Sequence, residues 1–145
     1  MTLRKKIFLL LITIVVLAVG WYGISPVFRN INVNEALPDN TTTETSERSG
    51  IVATKAHPAS GYVRVIETTT GSVIRYEEFD TLNGPNLHVY LSKDLDANDY
   101  IDLGPIKATS GNINYEVPAR VDVSEYRYVL HWCVPFSVLF NYAEL

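Results

Sequence analysis

Two hydrophobic patterns divide this chain. Residues 7–24 are apolar apart from Thr13 and two glycines. An apolar run of about 18 residues with no polar face is just long enough to cross a hydrocarbon core as a helix. From residue 57 onward the texture changes to short β-branched and aromatic runs punctuated by turns. Residues 62–68 and 73–79 flank Thr69-Thr70-Gly71-Ser72 and predict a hairpin. Leu87, Val89 and Leu91 alternate with His88 and Tyr90, which predicts a half-buried strand after the turn Asn83-Gly84-Pro85. Residues 100–103, 113–117, 126–133 and 136–140 continue the pattern, and no stretch here combines a helical period with caps. About seven to nine short strands in such a length predict an all-β fold, an antiparallel β-sandwich or small barrel, preceded by one transmembrane helix.

The segment between the two patterns is polar. Residues 40–50 have no apolar periodicity and cannot bury enough surface to offset the entropy of ordering them. Ile31, Val33, Ala36 and Leu37 suggest at most a short amphipathic turn, and Asn40-Thr41-Thr42 fits the N-x-[ST] acceptor pattern. The expected organisation is a cytoplasmic stub and anchor at 1–28, a polar linker at 29–56 and one β domain at 57–145.

Charge orients this arrangement. Arg4, Lys5 and Lys6 precede the apolar run, and Trp21 and Tyr22 lie at its far end. Positive residues stay in the cytoplasm and aromatic residues favour the opposite interface, which predicts a single-pass protein of the cell membrane with its C-terminal domain outside. A cleaved signal peptide competes with the anchor, because Ala18-Val19-Gly20 has the small residues a signal peptidase uses; either way the domain is exported. Beyond the anchor, nine basic residues face sixteen acidic ones, a net charge of −7. That balance disfavours nucleic acid and anionic lipid surfaces, which require clustered positive charge.

Export makes the single cysteine, Cys133, conspicuous, since small exported domains commonly use cysteines in bridged pairs. Three readings stand: a buried apolar side chain, a reactive or ligating sulfur, or half of an intermolecular bridge. On a strand, Val129, His131 and Cys133 share one face, while Tyr128, Leu130 and Trp132 share the other. An imidazole beside a thiol lowers its pKa when protonated, or joins it as a ligand. The nitrogen donors are His57, His88 and His131, at none of the familiar zinc spacings. Blue copper with axial methionine is not supported, because the only methionine is Met1, and one cysteine cannot make the two thioethers of a C-x-x-C-H haem. Non-covalent haem remains allowed. Residues 94–102 imitate the start of a calcium loop but carry Asp99 where glycine is required and Pro105 where the bidentate glutamate belongs, so they read as a solvated acidic loop. Neither a nucleophile elbow nor a basic-aromatic array is present.

Several ordered segments carry a further resemblance: HPASG at 57–61, YEEFDTLNGPNLHVYLS at 76–92, IDLG at 101–104, GNINYEVP at 111–118 and VLHWCVPFSVLFNYAEL at 129–145. Together they resemble the DM-thirteen domain over the whole β region. The resemblance implies an all-β extracytoplasmic module of an electron-transfer system acting with a redox partner or surface protein, rather than a self-sufficient enzyme. It implies that Cys133 is the signature cysteine, a naked thiol or the ligand of a prosthetic group such as haem. His131 stands where the family usually carries an aliphatic residue, so its pairing with Cys133 is particular to this chain; His88 and His57 complete the candidate ligand set. The alternative is a non-enzymatic surface interaction or ligand-binding module with a structural cysteine. Asn83-Gly84-Pro85, Gly104 and Gly111 are expected at turns or positive φ, and Trp132 in the core.

Overall fold

The computed structural model describes residues 2–25, 29–39, 41 and 48–145. Helix α1, Leu3–Ile24, buries none of its side chains and is long and apolar enough to cross a membrane, a test that an N-terminal signal sequence also passes. Nine strands follow: β1 Asn32–Asn34, β2 Ser49–Thr54, β3 Ala59–Thr68, β4 Gly71–Thr81, β5 Leu87–Ser92, β6 Tyr100–Pro105, β7 Ser110–Glu116, β8 Tyr128–Cys133 and β9 Val138–Glu144. They form one curled sheet, a half-barrel, in the order β1-β7-β4-β3-β2-β9-β8-β5-β6. This is the all-β architecture that the alternating pattern predicts.

The corner is β2. Ser49, Gly50 and Ile51 pair with β3, whereas Val52, Ala53 and Thr54 pair with β9, so one strand serves both halves of the sheet. Period two then sets the core. Val63 and Val65 of β3, Ile74 and Tyr76 of β4, Val89 and Leu91 of β5, Ile113 and Tyr115 of β7 and Val129 of β8 pack into one cluster inside the curl. Each is removed from water, the main favourable term of folding.

Some elements depart from the expectations. Strands β1 and β2 fall inside 29–56, the segment whose composition suggests a linker. Its polar middle, residues 42–47, and the Asn40 acceptor site lie outside the described residues. β1 pairs in parallel with β7, whereas all the other strand pairings are antiparallel. Further along, Asp122 caps a 3₁₀ turn at Val123–Glu125, which delays β8 to Tyr128. Val134, Pro135, Phe136 and Ser137 form a turn with Ser137 at φ 50°, and the last strand starts at Val138 rather than at residue 136. Proline has no N–H for the ladder, which favours the break there. Trp132 does not fill the core. It lies on the outer face of the half-sheet, half-buried, in a second layer with Tyr90, Leu130 and Leu139.

Candidate functional site

Cys133 ends β8 and pairs with Leu87 at the start of β5. Its side chain points to the concave face but stands apart from the main core, in a small cluster with Leu87 and Phe140. The turn from Asn83 to Asn86 crosses above it, and the Sγ–H donates to the Pro85 carbonyl at 3.3 Å. The turn comes this close because residue 84 is glycine: a Cβ there would stand 2.6 Å from Cζ of Phe140. The asparagine before it caps the bend, with the Gly84 N–H donating to Asn83 Oδ1 at 2.8 Å.

Outside this cluster lies a pocket of about 220 Å³, with Cys133, His57, Pro85, Phe136, Val138 and Phe140 among its walls. The thiol is only 1 % exposed and forms part of the pocket floor. His57 reaches the pocket because β2 pairs with β9: its backbone N–H donates to the Phe140 carbonyl at 3.1 Å, and its ring packs on Phe140 with centroids 3.9 Å apart. His57 and Cys133 are the two titratable side chains of the lining. Burial pushes the thiol pKa up, partly opposed by the Phe136 backbone N–H, so the sulfur rests protonated at neutral pH.

His131 shares the concave face with Cys133 but belongs to the main core. Its ring lies 4.9 Å from Phe79 and 5.1 Å from Tyr76, between centroids. Its Nδ1 is 2.7 Å from Asn141 Oδ1, Asn141 Nδ2 donates to Thr81 Oγ1 at 3.0 Å, and Thr81 donates to the Pro58 carbonyl at 3.3 Å. A carbonyl only accepts, so the order of donors is fixed along the chain and the proton of His131 sits on Nδ1. Burial lowers its pKa to about 4, against the smaller opposing effect of the Asn141 bond. At neutral pH this imidazole is uncharged and supplies no positive charge to a thiolate.

His88 points to the other side of the sheet. It pairs with Trp132 across β5 and β8, and its Nδ1 is 2.8 Å from Asp102. Of the three histidines, the structure therefore sets His57 at the Cys133 pocket and turns His88 away from it. Asp94 is occupied locally, its Oδ1 accepting the N–H groups of Asp96 at 2.9 Å and Asn98 at 3.2 Å. No group of three or more His, Cys, Asp or Glu side chains placed to hold a metal occurs among the described residues.

Haem can be tested against this geometry. The pocket is smaller than the roughly 300–1,000 Å³ usual for sites that enclose a small molecule. Its sulfur is protonated and directed at a carbonyl. An enclosed haem does not fit. The aromatic walls Phe136 and Phe140 were not singled out in the sequence as site residues; the signal available for Phe140 is the period of two with Val138. Nothing local links residue 57 to residue 133, because that neighbourhood is made by the β2–β9 pairing.

No curated protein and no solved structure matches the chain. Residues 52–145, which contain the pocket walls from His57 to Phe140, match the family described as Electron transfer DM13. Since that span is well over half of the 145 residues, the chain belongs to the electron transfer DM13 family.

Proposed function

We propose that this protein is a membrane-anchored, extracytoplasmic electron-transfer module in which Cys133 is the redox-active group. The observation that carries the reading is the position of the sulfur: outside the main core, at the floor of an apolar pocket, with an imidazole in the same wall. The pocket gives a small reactant a route to Sγ. His57 is the other titratable side chain in that wall, and because the resting thiol is protonated while the thiolate is the nucleophile, the sulfur has to give up its proton to react. The basic flank of α1 supports an orientation with the β domain outside.

The test uses the full chain purified in detergent. The folded protein reacts at Cys133 with a small uncharged alkylating reagent, at a rate that keeps rising with pH above the range of an ordinary thiol. A chain whose Cys133 stays unmodified until denaturation overturns the proposal.

A second reading has its own support in the 1 % exposure of Cys133 and its bond to Pro85: a surface interaction module in which the thiol fixes the turn from Asn83 to Asn86. In that case Cys133→Ser lowers stability by about 1–3 kcal/mol and leaves partner binding intact. Loss of function at unchanged stability counts against it.

A further inference from the structure

The mouth of the Cys133 pocket carries an apolar rim. Val134, Phe136 and Val138 of the β8–β9 turn are 37 %, 55 % and 36 % exposed, Phe136 and Val138 line the pocket, and Ile31, 44 % exposed, lines a neighbouring hollow that shares Gly84 and Pro85. Hydrogen bonds join the β8–β9 turn, the bend from Asn83 to Asn86 and the segment at Arg29. Asn83 Nδ2 donates to the Arg29 carbonyl at 3.1 Å, and the Val134 N–H donates to the Asn86 carbonyl at 3.3 Å. Scattered surface apolar residues need no explanation, but a cluster around one pocket marks a contact surface.

Chain length identifies what that surface meets. Helix α1 is followed at once by Ser25, and Arg29 is already fixed to the rim through Asn83. Four residues of extended chain reach at most about 14 Å, so the end of the helix stays within that distance of Arg29, which is tied to the bend that walls the pocket. Gly23 of the helix itself contributes to the pocket lining. A helix that spans a bilayer therefore brings this end of the β domain to the lipid surface. The net charge of −7 outside the anchor argues that the contact is made by apolar insertion rather than by attraction to anionic headgroups.

We infer that the rim formed by Val134, Phe136 and Val138 sits in the membrane–water interface, with the Cys133 pocket opening toward the bilayer. Reactants then reach the sulfur from the lipid side as apolar, membrane-dissolved molecules. The inference rests on the membrane-anchored reading proposed above.

The test places a reporter at the rim. The full chain with Phe136→Trp is reconstituted in phosphatidylcholine vesicles, and its emission is measured as the difference from the unsubstituted chain, which holds Trp21 and Trp132. Tyr100→Trp is the control. Tyr100 pairs with Ser92, which pairs with Tyr128, at the end of β8 roughly 17 Å from Cys133. The expected result is blue-shifted Phe136→Trp emission, lost when the lipid is brominated near the headgroup, with the Tyr100→Trp signal unchanged by brominated lipid and quenched by aqueous iodide. The inference is overturned if Phe136→Trp is quenched by iodide and not by brominated lipid, or is shielded from both, as in a contact with another protein. The reactivity of Cys133 is read in detergent, without a bilayer, so the two proposals fail separately.

Discussion

His131 shows how one side chain is assigned by its neighbours rather than by its type. Placed between Phe79 and Tyr76 and donating to Asn141, it is held neutral with a pKa of about 4 against an ordinary 6.5. A group whose folded pKa is lowered in this way stabilises the fold fully above pH 6.5 and loses that contribution as the pH falls toward 4, because the unfolded chain takes up the proton first. The difference corresponds to about 3 kcal/mol at about 1.4 kcal/mol per tenfold. Urea unfolding of the full chain at pH 7.5, 5.5 and 4 should show the midpoint falling across this window. In His131→Leu the fall should be smaller, from a pH 7.5 starting point lower by about 1–3 kcal/mol because Asn141 loses its donor. Asp94 and Asp122, held below the usual carboxylate range by bonds from Asn98 and Ser124, act at lower pH. The shared face of His131 and Cys133 was legible from the period of two. That the imidazole packs on rings from β4 was not, since β4 reaches it from across the core.

Among the elements, β1 is the one that its own sequence supports least. Three residues with no apolar run form a strand because β7 and β4 supply their partners. Arg75 of β4, only 6 % exposed, donates to the carbonyls of Glu35 and Ala36 at 3.3 and 3.0 Å, while Asn114 Nδ2 donates to Ala36 at 2.8 Å. The Glu35 carboxylate accepts the Asn114 N–H and pairs with Lys107 at 3.1 Å. A buried guanidinium needs such partners, and the carbonyls of Glu35 and Ala36 need donors, so each explains the other. Gly111 permits the contact: its φ is 109°, and a Cβ there would collide with the Val33 carbonyl. Gly111→Ala should therefore release β1 and cost about 1–3 kcal/mol, read as a lower urea midpoint together with faster hydrogen exchange of the amides around Val33. The longer strands were legible because their side chains alternate strongly; their ends were not, because a capped 3₁₀ turn and a proline turn decided them.

For the whole molecule, α1 leaves its apolar side chains exposed whereas the half-barrel buries its own inside the curl. On the membrane-anchored reading proposed above, lipid covers the exposed apolar side chains of α1, and the native protein should keep its full length and remain with membranes through an alkaline carbonate wash. A shortened band in the supernatant would show that the segment is a signal. By itself the sequence determined the apolar helix, the all-β class, the faces of β5 and β8, and the family. These depend on hydrophobic period and on motifs held within single segments, which neighbouring residues encode directly. Only the tertiary structure decided that β2 turns the sheet's corner, that Asn32–Asn34 becomes a strand, that Trp132 faces outward, and that His57 rather than His88 stands at the sulfur. Those outcomes depend on pairings between segments dozens of residues apart, and the free energy of such a contact belongs to both partners, so neither segment alone carries it.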